Sequence, residues 1–170
     1  MTVLIQDSSR FRKAGVKGPR AAAWLASQDI DVPPAANTWK PLPGGALICR
    51  LAETEFFLED GSDPGPATKL APLLDELPAG VYPVPRQDSC FVLTGKDIHE
   101  VLLQVCSVDF SSNEARSALF MTSMAGVPVL AIPQELGGVP TVKIWADPTF
   151  GPYLWHTLSK IVQELTRGSQ

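Results

Sequence analysis

The chain of 170 residues is long enough for one compact domain or for two small fused subdomains. Hydrophobic residues make up 45% of it and charged residues 19%, which is typical of globular rather than disordered proteins. The net charge of −4 and the lack of any basic run exclude the electrostatic footprint of a protein that binds nucleic acid or an anionic membrane.

Cysteine usage and the N-terminus favour a cytoplasmic location. No apolar run approaches the roughly 20 residues that a helix needs to cross a bilayer, and the N-terminus lacks the basic region and apolar core of a signal peptide. Cys49, Cys90 and Cys106 are odd in number and have no C-x-x-C spacing. Buried free thiols in a reducing compartment are the simplest explanation.

The first half of the chain predicts a glycine-led helix, a hairpin and a closing helix. Gly18-Pro19 precedes the helix, and Leu47–Leu51 and Glu55–Leu58 flank a turn at Ala52-Glu53. The intervening residues 31–45 carry four prolines and a Gly-Gly pair, so we expect a long ordered loop there, held by Trp39. The closing helix has one apolar face, formed by Leu70, Leu73, Leu74 and Leu77.

The second half repeats this order. Phe91-Val92-Leu93 predicts a buried strand, Thr94-Gly95 ends it, and a helix follows. Leu119–Met124 and Val127–Ile132 flank a turn at Ala125-Gly126, residues 133–140 are predicted as a loop, and Thr141–Ala146 as the last strand. The two helices of this half have apolar faces formed by Ile98, Val101, Leu102 and Val105, and by Leu154, Leu158, Ile161, Val162 and Leu165.

The two halves align with Gly18 on Gly95, and the helix faces then coincide as well as the order of elements. Ala21, Trp24 and Leu25 fall on Ile98, Val101 and Leu102. We therefore predict an α+β fold made of two ferredoxin-like β-α-β-β-α halves that arose by internal duplication. The first half spans residues 1–80 and the second 81–170, and together they form one compact domain.

Two groups of residues are candidates for a functional site. Arg86 and Asp88 lie in a polar stretch between two apolar runs, and they either pair across one strand face or contact a ligand in a cleft. Near the C-terminus, four aromatic residues are concentrated, and an exposed aromatic cluster is typical of a partner surface. These partner-surface candidates are Trp145, Phe150, Tyr153 and Trp155.

Motifs for independent catalysis are missing from the sequence. The nucleophile elbow G-x-S-x-G, the phosphate loop G-x-x-x-x-G-K and the dinucleotide motif G-x-G-x-x-G do not occur. His99 and His156 have no second ligand at metal-binding spacing, so we predict that both face solvent on helices. The pattern favours a binding or subunit role without a catalytic or metal site.

Several of these segments together resemble the gamma subunit of heterotetrameric sarcosine oxidase, which is similar in fold to the folate-binding aminomethyltransferases (glycine-cleavage T-proteins). The similar segments are Phe11–Leu25, Gly44-Gly45, Arg86-Gln87-Asp88, Phe91–Gly95 and Asp147–Trp155.

The resemblance implies two ferredoxin-like halves and an accessory role beside larger alpha, beta and delta subunits. It implies that those subunits carry FAD, FMN, NAD, zinc and tetrahydrofolate and oxidatively demethylate N-methyl amines such as sarcosine, while this chain binds no cofactor itself. T-proteins engage folate through an acidic residue just after the Gly-Gly pair, but Gly44-Gly45 is followed here by Ala46-Leu47-Ile48-Cys49. A free-standing folate-binding protein of one-carbon metabolism is the alternative.

Overall fold

The computed structural model describes residues 3–111 and 117–167 and has a mixed α+β fold with two antiparallel five-stranded sheets. The chain divides into two compact units, Arg10–Gln87 and the combination of Met1–Ser9 with Asp88–Gln170. We call them the middle unit and the terminal unit. The predicted α+β class is confirmed.

The middle unit contains one sheet with the strand order β3-β4-β5-β2-β6. Its elements in chain order are β2 (Lys13–Lys17), α1 (Ala21–Ser27), β3 (Thr38–Pro41), β4 (Leu47–Ala52), β5 (Glu55–Glu59), α2 (Pro66–Leu70) and β6 (Tyr82–Val84). Val16, Leu25, Ile48, Phe56 and Leu58 are fully buried in the core of this unit.

The terminal unit contains the second sheet, with the strand order β1-β7-β10-β9-β8. Its elements are β1 (Val3–Asp7), β7 (Ser89–Gly95), α3 (Ile98–Val105), β8 (Phe120–Met124), β9 (Val127–Leu136), β10 (Val139–Ala146) and α4 (Gly151–Arg167). Leu93, Val101, Ile144, Leu154 and Leu158 are fully buried in its core.

The two units have the same order of secondary-structure elements and the same strand order in their sheets. Each has a central strand followed by a helix, a three-stranded meander that returns beside the central strand, and a closing helix. Each also has an edge strand from outside this run: β1 pairs with β7, with Ile5 opposite Leu93, and β6 pairs with β2, with Val84 opposite Gly15. The units therefore do not follow the predicted boundaries of 1–80 and 81–170, because β1 belongs to the sheet of the terminal unit and β6, which begins after residue 80, belongs to the sheet of the middle unit.

The junction between β7 and α3 shows how the local sequence determines the strand, the break after it and the buried face of the helix. Phe91 and Leu93 point into the core from β7, and Gly95 then takes φ +150°, a backbone conformation that L side chains rarely adopt. The buried face of α3 is formed by Ile98, Val101 and Leu102, which helical periodicity places on one side of the helix. Gly18 occupies the matching place after β2, with φ +122°, so the two predicted glycine breaks are confirmed.

Each five-stranded sheet contains two strands more than the three of the predicted β-α-β-β-α unit, namely a third meander strand and the edge strand. The predicted loop at 31–45 includes β3, an edge strand that tolerates Pro41. The predicted loop at 133–140 is mostly strand, because β9 runs on to Leu136 and β10 begins at Val139. Pro133 is accommodated because β8 pairs with β9 only as far as Ala131, which leaves that side of β9 without a neighbouring strand among the described residues.

The closing helices differ in length. In the terminal unit, α4 has 17 residues, and Leu154, Leu158 and Val162 form its buried face. In the middle unit, α2 has five residues and continues only as a 3₁₀ turn at Ala71–Leu73, so the predicted helix through Leu77 is wrong. Pro72 cannot donate the backbone hydrogen bond that the α-helix would need there. No helix among the described residues is long and apolar enough to cross a membrane.

Candidate functional site

Arg86 lies just after β6 and reaches across β2 to contact β5. Its Nη2 donates to Oε1 of Glu55 at 3.3 Å, and its guanidinium lies 5.2 Å from the centre of the Phe57 ring. Both contacts are favourable for a guanidinium, since one neutralises its charge and the other uses the negative face of the ring. The side chains of Arg86 and Glu55 are 19% and 34% exposed, so the cluster is partly screened from water.

Gly15 in β2 leaves room for this cluster. A Cβ atom at Gly15 would lie 2.7 Å from the carbonyl oxygen of Val84 and 3.2 Å from Cγ of Arg86. The glycine therefore lets β6 approach β2 closely, with the stem of Arg86 lying across it.

The sequence prediction paired Arg86 with Asp88 or placed both at a ligand. The structure gives Arg86 a carboxylate partner in Glu55, 31 residues earlier in the chain, which sequence spacing could not indicate. Asp88 is partly buried and directly precedes β7 in the terminal unit. A ligand role for the two residues stays a prediction.

The four aromatic candidates divide into buried and exposed pairs. Trp145 is only 1% exposed, so its inclusion in a partner surface is wrong: it points from β10 into the protein. Trp155 is partly buried and packs on Phe91, with ring centres 5.4 Å apart. Phe150 and Tyr153 are 44% and 54% exposed and remain candidates for a partner surface.

The position of Phe150 and Tyr153 is set by Asp147. Its carboxylate accepts hydrogen bonds from the backbone N–H and the hydroxyl of Thr149, at 2.8 and 2.6 Å, and so caps the 3₁₀ turn Pro148–Phe150 that leads into α4. These bonds favour the charged form and lower the pKa of Asp147 below its ordinary value. Tyr153 is then held by its hydroxyl, which donates to the carbonyl of Ala125 at 3.1 Å.

The middle unit contains a buried ion pair that was not predicted from the sequence. Nζ of Lys13 lies 3.3 Å from Oε2 of Glu59, and the two side chains are 2% and 0% exposed. The lysine also donates to the carbonyl of Phe11 at 2.8 Å. The signal in the sequence was a charged residue at the end of each of two apolar strands, β2 and β5, which place these residues opposite each other.

Other potentially reactive residues do not form a site within residues 3–111 and 117–167. His99 and His156 are both exposed on helices, as predicted. Cys49, Cys90 and Cys106 form no disulfide; the first two are buried and Cys106 is only partly buried. In this part of the chain no group of three or more His, Cys, Asp and Glu residues is placed to hold a metal ion.

This fold is shared with aminomethyltransferases. The glycine cleavage system aminomethyltransferase T from Bartonella henselae matches 92% of this chain with a TM-score of 0.70 at 14% sequence identity. The chain spans 45% of the length of that enzyme.

A more similar structure is a chain of the heterotetrameric sarcosine oxidase from Corynebacterium sp. U-96, determined in complex with pyrrole 2-carboxylate. It matches 95% of this chain and 84% of its own length, with a TM-score of 0.74 and 23% identity. No family model and no curated protein sequence matches the chain. At these identities the likeness establishes the fold, and it confirms the predicted resemblance to T-proteins and to a sarcosine oxidase chain.

Proposed function

We propose that this chain is the accessory, gamma-type subunit of a flavin-dependent, heterotetrameric sarcosine-oxidase-like complex in the cytoplasm. One observation carries the proposal: the likeness to a chain of such an oxidase runs over 95% of this chain and 84% of the other. The two chains are therefore close in length, as expected of equivalent subunits and not of one domain within a much larger enzyme.

In this proposal the chemistry belongs to the alpha, beta and delta subunits. They hold FAD, FMN, NAD, zinc and tetrahydrofolate and oxidatively demethylate an N-methyl amine. The folate-engaging position of T-proteins supports this division, because residues Ala46–Cys49 are all buried and apolar and offer no carboxylate there. The nearest acid in sequence after β5, Asp60, is instead used to bind the backbone of α2.

We also propose that the two halves are a duplicated ferredoxin-like unit. Both sheets have the same order of elements, and a glycine with positive φ stands at the end of β7 (Gly95) and directly after β2 (Gly18). In this reading each repeat is an edge strand, a central strand, a helix, a three-stranded meander and a closing helix. The first repeat begins at β1 and the second at β6, so each repeat gives its first strand to the sheet of the other.

The subunit proposal is tested by purifying the tagged chain from its native host under mild conditions. We expect larger chains in fixed ratio, an absorbance spectrum with flavin bands, and oxidation of sarcosine or another N-methyl amine. A colourless chain that purifies alone would contradict the proposal.

A free-standing folate-binding protein is the second candidate, favoured by the likeness to aminomethyltransferase T. In that case Arg86 and Asp88 would contact the ligand. The engagement of Arg86 by Glu55 and Phe57 argues against it, because the guanidinium already has a carboxylate partner. Calorimetric titration of the purified chain with a reduced folate decides the point: saturable binding that Arg86→Met abolishes supports this candidate, and no binding at high micromolar folate eliminates it.

A further inference from the structure

The outer edge of β8 differs from the other three sheet edges. β3 carries Lys40 and ends at Pro41, β6 has only three residues and includes Pro83, and β1 ends at Asp7. Short length, proline and charge are the features that keep an exposed edge from pairing with another strand. β8 has the sequence Phe-Met-Thr-Ser-Met, with no charge and no proline over five residues.

The geometry of the β8–β9 hairpin shows which backbone groups point outwards. Ala125 and Gly126 have φ of +50° and +81° and form a two-residue turn, with Met124 opposite Val127. Met124 therefore bonds to β9, and the alternation of an antiparallel ladder turns the N–H and C=O groups of Met121 and Ser123 away from it. Within the described part of the chain, no strand lies beside that edge.

Exposed apolar side chains lie on this strand and beside its hairpin turn. Met121 is 64% exposed, and it lies opposite the partly buried Leu130 on one face of the sheet. The turn at Ala125 is held between two helices, since its N–H donates to the carbonyl of Val105 and its carbonyl accepts from Tyr153. Leu103, at 78% exposure, lies on the α3 side of this turn, and Tyr153, at 54%, on the α4 side.

We propose that β8 is a docking edge at which an extended segment of a larger subunit adds as a sixth strand to the sheet of the terminal unit. The inference rests on the proposed subunit function and identifies where the partner binds. Unsatisfied main-chain donors and acceptors on a strand edge are complementary to another strand. The added segment has an apolar side chain beside Met121.

The area available favours a larger partner over a second copy of this chain. Two copies that paired through β8 would contribute five strand residues each, whereas a stable interface uses about 20–30 residues a side. A larger subunit adds contacts beyond the strand, and the exposed ring of Tyr153, whose hydroxyl bonds to the turn at Ala125, is placed for such contacts.

The test uses the complex purified through the tagged chain, with Ser123→Pro and Met121→Lys as the variants. Proline removes the outward N–H of residue 123 without taking a hydrogen bond from β9, and lysine places a charge at the edge. The matched control is Leu4→Lys on β1, where the replaced side chain is 67% exposed. Thermal denaturation of each isolated variant checks that it folds.

We expect both β8 variants to lower recovery of the flavin-containing chains at least tenfold, and Leu4→Lys to leave it unchanged. We also expect amide exchange of a peptide covering residues 119–124 to slow at least tenfold in the complex relative to the isolated chain. If the wild-type chain recovers the flavoprotein and the β8 variants recover as much, the docking edge is wrong and the subunit function stands. If the wild-type chain recovers no flavoprotein, the subunit function fails and the inference fails with it. Self-association that Ser123→Pro abolishes would overturn the larger-subunit partner in favour of a second copy.

Discussion

The two sheets match closely on the face that each helix pair covers and differ on the opposite face. When Gly18 is placed on Gly95, the helix-covered pairs of the central strand and its meander neighbour are Ala14 with Leu58 and Val16 with Phe56 in the middle unit. The corresponding pairs in the terminal unit are Phe91 with Ile144 and Leu93 with Val142. All eight side chains are apolar and buried, so the shared topology is maintained by equivalent packing.

On the opposite face the same alignment pairs unlike chemistry. The buried ion pair of Lys13 and Glu59 corresponds to the cross-strand pair of Cys90 and Trp145. Lys17 opposite Glu55 corresponds to Thr94 opposite Thr141, whose hydroxyls lie 3.3 Å apart. The helix-covered face therefore specifies the fold, while the other face has an ion pair where the terminal unit has an apolar pair and oppositely charged residues where it has a hydroxyl pair.

The largest expected effect comes from breaking the buried ion pair. Glu59→Leu leaves the ammonium of Lys13 buried without its carboxylate, and we expect it to lower the free energy of unfolding by about 3–5 kcal/mol. The double change Lys13→Met with Glu59→Leu turns the site into an apolar pair like its counterpart in the terminal unit, and we expect it to restore most of that loss. Urea denaturation measures all three proteins.

The exposed pair Lys160 and Glu164 is the control for this comparison, since its side chains are 65% and 60% exposed. Glu164→Ala should change the free energy of unfolding by less than about 0.5 kcal/mol. A double variant in the buried pair that is no more stable than Glu59→Leu would show that the ion pair has a specific role and is not interchangeable with an apolar pair.

A second contrast lies in the carboxylates that follow the two meanders. Asp60 is 3% exposed and accepts hydrogen bonds from the N–H groups of Ala67 and Thr68 and from the Thr68 hydroxyl, at 2.6–3.0 Å. Asp60→Ala leaves these donors without that acceptor, and we expect a loss of about 2 kcal/mol in the free energy of unfolding. Asp63→Ala, at an exposed position of the same loop, should have almost no effect; equal losses for the two variants would contradict the capping role.

The smallest expected effect concerns Asp147, which caps the corresponding segment of the terminal unit from the surface. Hydrogen bonds from Thr149 lower its pKa in the folded protein, so its charged form stabilises the fold above the ordinary pKa of 3.8, and this contribution is lost as the pH falls through the lowered value. Asp147→Asn keeps the acceptor oxygen and removes the charge. We expect it to lower the melting temperature slightly at pH 7, with the difference disappearing at acidic pH; a constant difference across the titration would contradict this account.

The parts of the fold that depend on local pattern were predictable from sequence. The strand at Phe91–Leu93, the glycine after it and the apolar face of α3 follow from neighbouring residues, and the structure contains all three. The prediction of loops at residues 31–45 and 133–140 was wrong where a proline lies in a strand at a position that needs no backbone donor. Pro41 and Pro133 are both in strands, because the side on which each lacks a donor has no neighbouring strand within the part of the chain that the structure describes.

Contacts between residues that are far apart in the sequence were not predictable. The pairing of β1 with β7 joins residues about 90 positions apart, and nothing local to Val3–Asp7 indicates it. The same holds for Arg86, whose partner Glu55 lies on another strand. It also holds for Trp145, because β10 is buried on both faces from Thr141 to Ala146, and the local sequence does not indicate what covers the second face.

The central claim, that this chain works as a small subunit, is tested most directly by native mass spectrometry of the material purified through it. The account predicts an assembly in which one copy of the 18.3 kDa chain is present with three different partner chains and bound flavin. A single species at the mass of the chain alone, without flavin, would contradict it.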